Sequence, residues 1–382
     1  MNKIDEIMVQ FHCESNTGYA IGRLEGVFFD VAMRLLGGDP ERLHIAYTDM
    51  HSGPSDTIPP SFTNYLVIRP DMAGRNAYSW LEAYVRDHKI STVLGFDQPP
   101  RRPYYAAFRR GGVRRLISYW GAPMSSPNSG LVLLLKRLQV ALYRSGPDMY
   151  IFESEGMKET ATLGRGIPAA QTHVVYLGVD TTRFRPAVTC ETFAHERFSI
   201  PRDRKIFLFT GHMEPRKGPQ VILRAVNRLV RTRRAKDWHV LLLGNSVADR
   251  SRLEVELVGA AEREMVTFGG YFPDVDAVHR SCYAGIIAST GWDSLTCSAL
   301  EMQSSGLPLL LSDLPGLREA IIHDQTGWLF RSGDDSALAS LMNSILENPG
   351  RQQQMGFEAR ARVLRKFRRE TQVTKLCELI DS

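Results

Sequence analysis

The chain has 382 residues, 43% hydrophobic and 23% charged, enough apolar side chain for two or three packed domains; this excludes a wholly disordered chain and a single small fold. We expect two domains. Its 47 Lys and Arg against 42 Asp and Glu leave a net charge of +5, too mild to point to a nucleic-acid partner.

From the amino terminus, MNKIDEIMVQFH lacks an apolar stretch of signal-peptide length, so a chain retained in the cytoplasm is expected. Cys13, Cys190, Cys282, Cys297 and Cys377 are odd in number, scattered and without a CxxC pair, which argues against a disulfide framework or a structural zinc and fits a reducing compartment. A strand at Ile7 to Phe11 runs through Ser15-Asn-Thr-Gly-Tyr-Ala-Ile-Gly22 into a helix from Ala20 to Leu36. Gly18 in that turn lets a ligand approach the backbone, with Tyr19 beside it, although a plain turn has the same composition.

After a strand at Thr92 to Leu94 come six arginines (Arg101, Arg102, Arg109, Arg110, Arg114 and Arg115) without an acid, interleaved with Tyr104, Tyr105 and Phe108. The block reads as a solvated helix face, an anionic-membrane patch or, less in keeping with the rest, a nucleic-acid patch. The strand Arg115 to Ile117 leads to Trp120, which either stacks on a sugar or belongs to the core. The apolar run from Leu131 to Tyr143 is broken by Lys136 and Arg137 and is far short of the ~20 residues that span a bilayer. A strand at Met149 to Phe152 closes this first series.

Arg183 to Thr192 interrupts the periodicity as a linker, so the expected domains are 1–188 and 189–364, with 365–382 a charged helix crossing back to the first. A second series then has strands at Lys205 to Thr210, His239 to Leu243, Met265 to Phe268, Gly285 to Ala288 and Leu309 to Leu311. Short apolar runs alternating with helical segments predict an α/β protein with a doubly wound parallel sheet in each half.

Three segments of this half carry candidate chemistry. Thr210-Gly-His-Met-Glu-Pro-Arg-Lys-Gly218 joins a strand to a helix and offers Gly211, His212, Arg216 and Lys217 to a phosphate. Asp274-Val-Asp276 imitates a DxD metal motif but precedes a helix, so capping is the favoured reading. In Ser289 to Pro308, Asp293 lies before a helix whose opening amides at Leu295, Thr296 and Cys297 suit an anion, and Glu301 follows two turns on. A capping Asp293 and a surface Glu301 are the bland alternative.

Together these segments resemble retaining glycosyltransferases of family 4, the group 1 family, with a GT-B fold of two Rossmann-like domains facing a central cleft. Tyr176-Leu-Gly-Val-Asp-Thr-Thr-Arg-Phe-Arg-Pro186 is similar to the family's NGVDxxxFxP segment, Gly211 to Gly218 to GRxxxxKG, and Ser312 to Glu319 with Thr326-Gly327 to its D-x-x-G-x-x-E…TG segment. The chain departs from the pattern at Asp293, where a glutamate is usual, at His212 in place of arginine, and at Trp120-Gly121 in place of His-Gly.

The resemblance implies a nucleotide-diphosphate sugar donor, with a UDP-sugar favoured and a GDP-sugar the alternative, bound mainly by the second domain, and a glycan, lipid-linked or small-molecule acceptor on the first, in bacterial surface polysaccharide or glycoconjugate synthesis. Lys217, Asp293 and His212 would be catalytic. Gly18, Gly211, Arg216, Leu295, Thr296, Cys297 and Glu301 would hold the donor, Asp293 on the sugar and Glu301 on the ribose, while Trp120 and Tyr19 would stack on acceptor or sugar. No metal or other cofactor is expected to be obligatory. The arginine block would face an anionic membrane, placing a cytoplasmic enzyme at its inner face. A sugar-nucleotide epimerase of the same fold and a non-catalytic nucleotide-sugar-binding subunit are the rival readings.

Overall fold

The computed structural model describes residues 4–72, 77–189 and 191–382. It divides into two units, Met1–Tyr176 with Glu370–Ser382, and Leu177–Arg369.

The first unit is built on seven parallel strands: β1 (Glu6–Gln10), β2 (Leu43–Tyr47), β3 (Tyr65–Val67), β4 (Ile90–Phe96), β5 (Arg115–Trp120), β6 (Met149–Phe152) and β7 (Thr172–Val174). Their order is β3-β2-β1-β4-β5-β6-β7, which reverses direction between β1 and β4. The second unit has six, β8 (Lys205–Thr210), β9 (Trp238–Leu243), β10 (Val266–Gly270), β11 (Ala284–Ile287), β12 (Leu309–Ser312) and β13 (Gly327–Phe330), in the order β10-β9-β8-β11-β12-β13. All described pairs are parallel, and β9 (WHVLLL) is buried at every position, as expected of a sheet covered on both faces. In such sheets a ligand sits beyond the carboxyl ends of the strands where the order reverses, at β1/β4 and at β8/β11.

Sequence periodicity missed β2, β3, β7 and β13. The first of these contains His44, a polar residue that the structure buries completely, and the others are only three or four residues long, too short for alternation to stand out.

The break falls between Tyr176 and Leu177 rather than at 188–189, because the segment after it is sewn into the second unit. Val179 donates to the Phe367 carbonyl at 2.8 Å and accepts from the Arg369 amide at 3.1 Å. The Arg360 guanidinium donates to the carbonyls of Thr181, Phe184 and Ser304. The Leu177–Pro186 part of the motif at 176–186 therefore belongs to the second unit and not to the end of the first. The helix Pro349–Lys366 stays in the second unit, whereas the last helix, Arg369–Asp381, packs on the first sheet through Gln372 to the Tyr119 hydroxyl (3.0 Å) and Arg34 to Thr374 (2.8 Å).

Candidate functional site

At the β8/β11 reversal two loops meet. The first leaves β8 at Gly211, makes a 3-10 turn over Pro215–Lys217, and enters the helix Pro219–Thr232 through Gly218, with proline at the helix start where no amide partner is needed. Gly218 is left-handed (φ 75°), and a Cβ there would lie 1.8 Å from the Ala288 carbonyl oxygen at the end of β11, so only glycine lets the two chains touch. The second loop then hydrogen-bonds along the first: the amides of Thr290 and Gly291 donate to the Arg216 carbonyl at 2.7 and 3.3 Å, and the Thr290 hydroxyl donates to the Pro215 carbonyl at 3.1 Å.

This stitching places Lys217 against Asp293. The Lys217 Nζ is 2.8 and 2.9 Å from the two carboxylate oxygens, and Asp293 is only 4% exposed. The Ser289 hydroxyl donates to the same carboxylate at 2.6 Å, fixing it from behind. Asp293 is thus an orienting anion for the lysine and not a helix cap. The helix Cys297–Ser304 is capped by the Thr296 hydroxyl, which accepts from the Ala299 amide at 3.2 Å. Leu295 precedes that cap with its side chain in the core. Glu301, midway along the helix, is 3% exposed, which overturns the surface alternative.

Other expected site residues fall differently. Arg216 is held by Glu214 (2.7 Å), by the Trp292 carbonyl (3.4 Å) and over the Trp292 ring, 4.2 Å from its centroid; Trp292 was not anticipated. His212 is exposed, with no hydrogen-bond or ion-pair partner among the described residues. Gly211 (φ 153°) keeps β8 paired with β9 by donating to the Leu243 carbonyl at 3.1 Å. The acidic pair does not cap: the Asp274 side chain makes no capping bond, and Asp276 is clamped by Arg183 (3.1 Å) and Arg280 (3.3 Å). Burial pushes the Asp276 carboxyl up, but these two guanidiniums outweigh it and hold it below its usual range.

In the first unit, Gly18 (φ 89°) precedes the helix Tyr19–Leu35 with open space on its Cβ side, and Tyr19 is half-exposed with the Arg23 guanidinium over its ring. Trp120 is not a free stacking platform. Its indole N–H donates to the Gln98 carbonyl at 3.2 Å, and its ring packs on the Tyr150, Phe152 and Met157 cluster, because that cluster needs its apolar area.

The arginine block is not an open patch either. Tyr104, Tyr105 and Phe108 are core residues. Arg109 pairs with Asp148 (2.8 Å), Arg110 with Glu82 (2.7 Å) and Arg114 with Asp5 (2.9 Å), while Arg115 holds the Ile380 carbonyl and Arg101 the Gln139 carbonyl. Arg102 is half-buried, its Nε without a hydrogen-bond partner. With its aromatics inside and Arg109, Arg110 and Arg114 paired to acids, the block is a solvated surface without the aromatic contact that an interface was expected to use.

Asp97 was missed. It ends β4 at the first reversal, in a left-handed conformation (φ 49°), and accepts the Gly121 amide at 3.0 Å. Burial pushes its carboxyl up to about 7 against the pull of that amide. Nearby, burial also holds the His12 imidazole below its usual range. A lone aspartate after an apolar strand carries no sequence signal; the left-handed backbone and the burial do. Because the folded state binds this proton more tightly than the unfolded chain, Asp97 contributes stability below about pH 4 that is lost as pH rises through about 7. Asp97→Asn removes that dependence, so its melting temperature relative to wild type should be higher at pH 8 than at pH 5; an equal difference at the two pH values would refute the shift.

Residues 191–362 match the family described as glycosyl transferases group 1. The chain carries a group 1 glycosyltransferase domain. Over 328 residues it is 26% identical to a GDP-mannose-dependent alpha-(1-6)-phosphatidylinositol monomannoside mannosyltransferase of Mycolicibacterium smegmatis, covering 83% of this chain and 82% of that one. It is 31% identical over 193 residues to a D-inositol 3-phosphate glycosyltransferase of Nocardia farcinica, a match that spans 49% of this chain and 42% of the relative. Among solved structures, a glycosyltransferase from Rickettsia africae superposes with a TM-score of 0.81 at 16% identity, over 99% of this chain and 98% of that one. HepE of Anabaena in complex with UDP does so at 0.78 and 15%, over 98% and 99%. The chain as a whole has two Rossmann-like units in the GT-B fold.

Proposed function

We propose that this glycosyltransferase moves a sugar from a nucleoside-diphosphate donor to an acceptor hydroxyl with retention at the anomeric carbon, without an obligatory metal. The observation that carries this is the Lys217–Asp293 pair at the β8/β11 reversal. An ammonium has three N–H donors; the bidentate contact with Asp293 occupies two directions and leaves a third for a diphosphate oxygen. As the bond from the anomeric carbon to phosphate breaks, negative charge grows on the leaving diphosphate, where Lys217 and the helix amides after Thr296 stabilise it. The acceptor oxygen bonds on the same face, and its proton passes to the departing phosphate, so no protein base is needed.

The donor is proposed to be UDP-linked, as in HepE solved with UDP-glucose; the GDP-mannose dependence of the mycobacterial relative makes a GDP-sugar the second donor to test. We place the enzyme at the cytoplasmic face of a membrane, with a glycan or lipid-linked acceptor for surface glycoconjugates. The test is a thermal-shift panel of nucleotide sugars followed by assay of the stabilising donor in excess chelator. Free nucleoside diphosphate released only with acceptor present is expected. Sugar epimerisation without acceptor, binding without turnover, or activity that requires added manganese would each overturn the proposal.

Glu301→Gln keeps the size of a buried carboxylate while removing its charge. If Glu301 holds the ribose, the variant should weaken donor affinity measured by calorimetry about tenfold while leaving saturated turnover within a few-fold. Unchanged affinity would remove Glu301 from the donor site.

A further inference from the structure

The helix Gly130–Leu142 inverts the usual arrangement of a surface helix: no residue of it is buried. Leu131, Leu134, Leu135, Leu138 and Leu142 are between 50% and 80% exposed, and their spacing of 3, 4, 7 and 11 residues from Leu131 puts all five on one stripe. The inward side is held by a cation, the Lys136 ammonium donating to the Gly164 carbonyl at 2.9 Å and to the Ser125 hydroxyl at 3.2 Å, with Val140 on the cluster around Phe152. Water therefore meets the apolar face, which is unfavourable unless something covers it.

We infer that this leucine stripe is the surface by which the protein lies on an anionic lipid bilayer, a reading that rests on the membrane placement proposed above and moves it from the arginine block to this helix. Two observations favour lipid. Between Gly121 and Asp148 the sequence has three cations, Lys136, Arg137 and Arg144, and no acid. Arg137 and Arg144, exposed at the helix, have no hydrogen-bond or ion-pair partner among the described residues, and Arg101 lies against the Gln139 carbonyl. An apolar stripe flanked by free cations is the pattern of a helix lying in the plane of an anionic interface. A second copy of the chain fits less well. A 13-residue helix is about 20 Å long, and its five half- to largely exposed leucines offer on the order of 500 Å², short of the ~800 Å² per partner of a stable interface.

Cosedimentation with phosphatidylglycerol/phosphatidylcholine vesicles and with phosphatidylcholine alone, at low and high salt, tests this. Wild type should bind the anionic vesicles, more weakly at high salt. Leu134→Glu/Leu138→Glu should bind them at least about tenfold more weakly while keeping the wild-type melting temperature, since both sites are exposed. Arg137→Glu/Arg144→Glu should lose the preference for anionic lipid. If the leucine variant binds as wild type does, the membrane placement stands and the helix assignment falls. If wild type binds neither vesicle, both fall, and a wild-type dimer that the leucine variant makes monomeric would identify a second copy as the occupant.

Discussion

Lys217→Ala is expected to lower turnover at saturating donor by roughly a hundredfold or more, about 3 kcal/mol, the typical loss when one charge contact to a transition state is removed. The size follows from the lysine's surroundings. Its ammonium is fixed in advance by a carboxylate that is itself buried and held by Ser289, so little reorganisation is left for the moment of reaction. The same change strands Asp293 without its counter-ion. Breaking a fully buried pair costs about 3–5 kcal/mol; because the lysine side chain is 19% exposed, about 2 kcal/mol of lost stability is the better figure. Urea unfolding and single-turnover kinetics on the purified variant separate the two effects. A folded Lys217→Ala enzyme with near wild-type turnover would reject the phosphate contact.

Gly218→Ala should be the most damaging single methyl in the second unit. A left-handed backbone already penalises alanine, and its Cβ would need the place of the Ala288 carbonyl oxygen, 1.8 Å away, a backbone atom that cannot move without pulling β11 from the sheet. A loss of at least about 3 kcal/mol, or about 10 °C in melting temperature for a unit of this size, is expected. Donor-induced thermal stabilisation should fall with it, because the contact that fails is the one that brings the Lys217 and Asp293 loops together. A melting temperature within about 2 °C of wild type would show that the loop relaxes and that the close approach is dispensable.

Local chemistry was enough to read the strand, glycine-rich turn and helix at residues 205–226, and the strand, polar loop and helix at 284–304, because each apolar run ends in residues that stop a strand and start a helix. It also placed Lys217 and Asp293 as candidates. It could not show that they touch: they are 76 residues apart, and only the strand order, with β11 beside β8, makes their loops neighbours. The arginine block left its readings open for the same reason, since Asp5, Glu82 and Asp148 lie 109, 28 and 39 residues away from the three arginines they neutralise. In the opposite direction, the leucines of Gly130–Leu142 have the periodicity of an ordinary core helix. Periodicity states that one face is apolar; which way that face turns is decided by what packs behind it, and here a lysine bonded to the Gly164 carbonyl turns it outward.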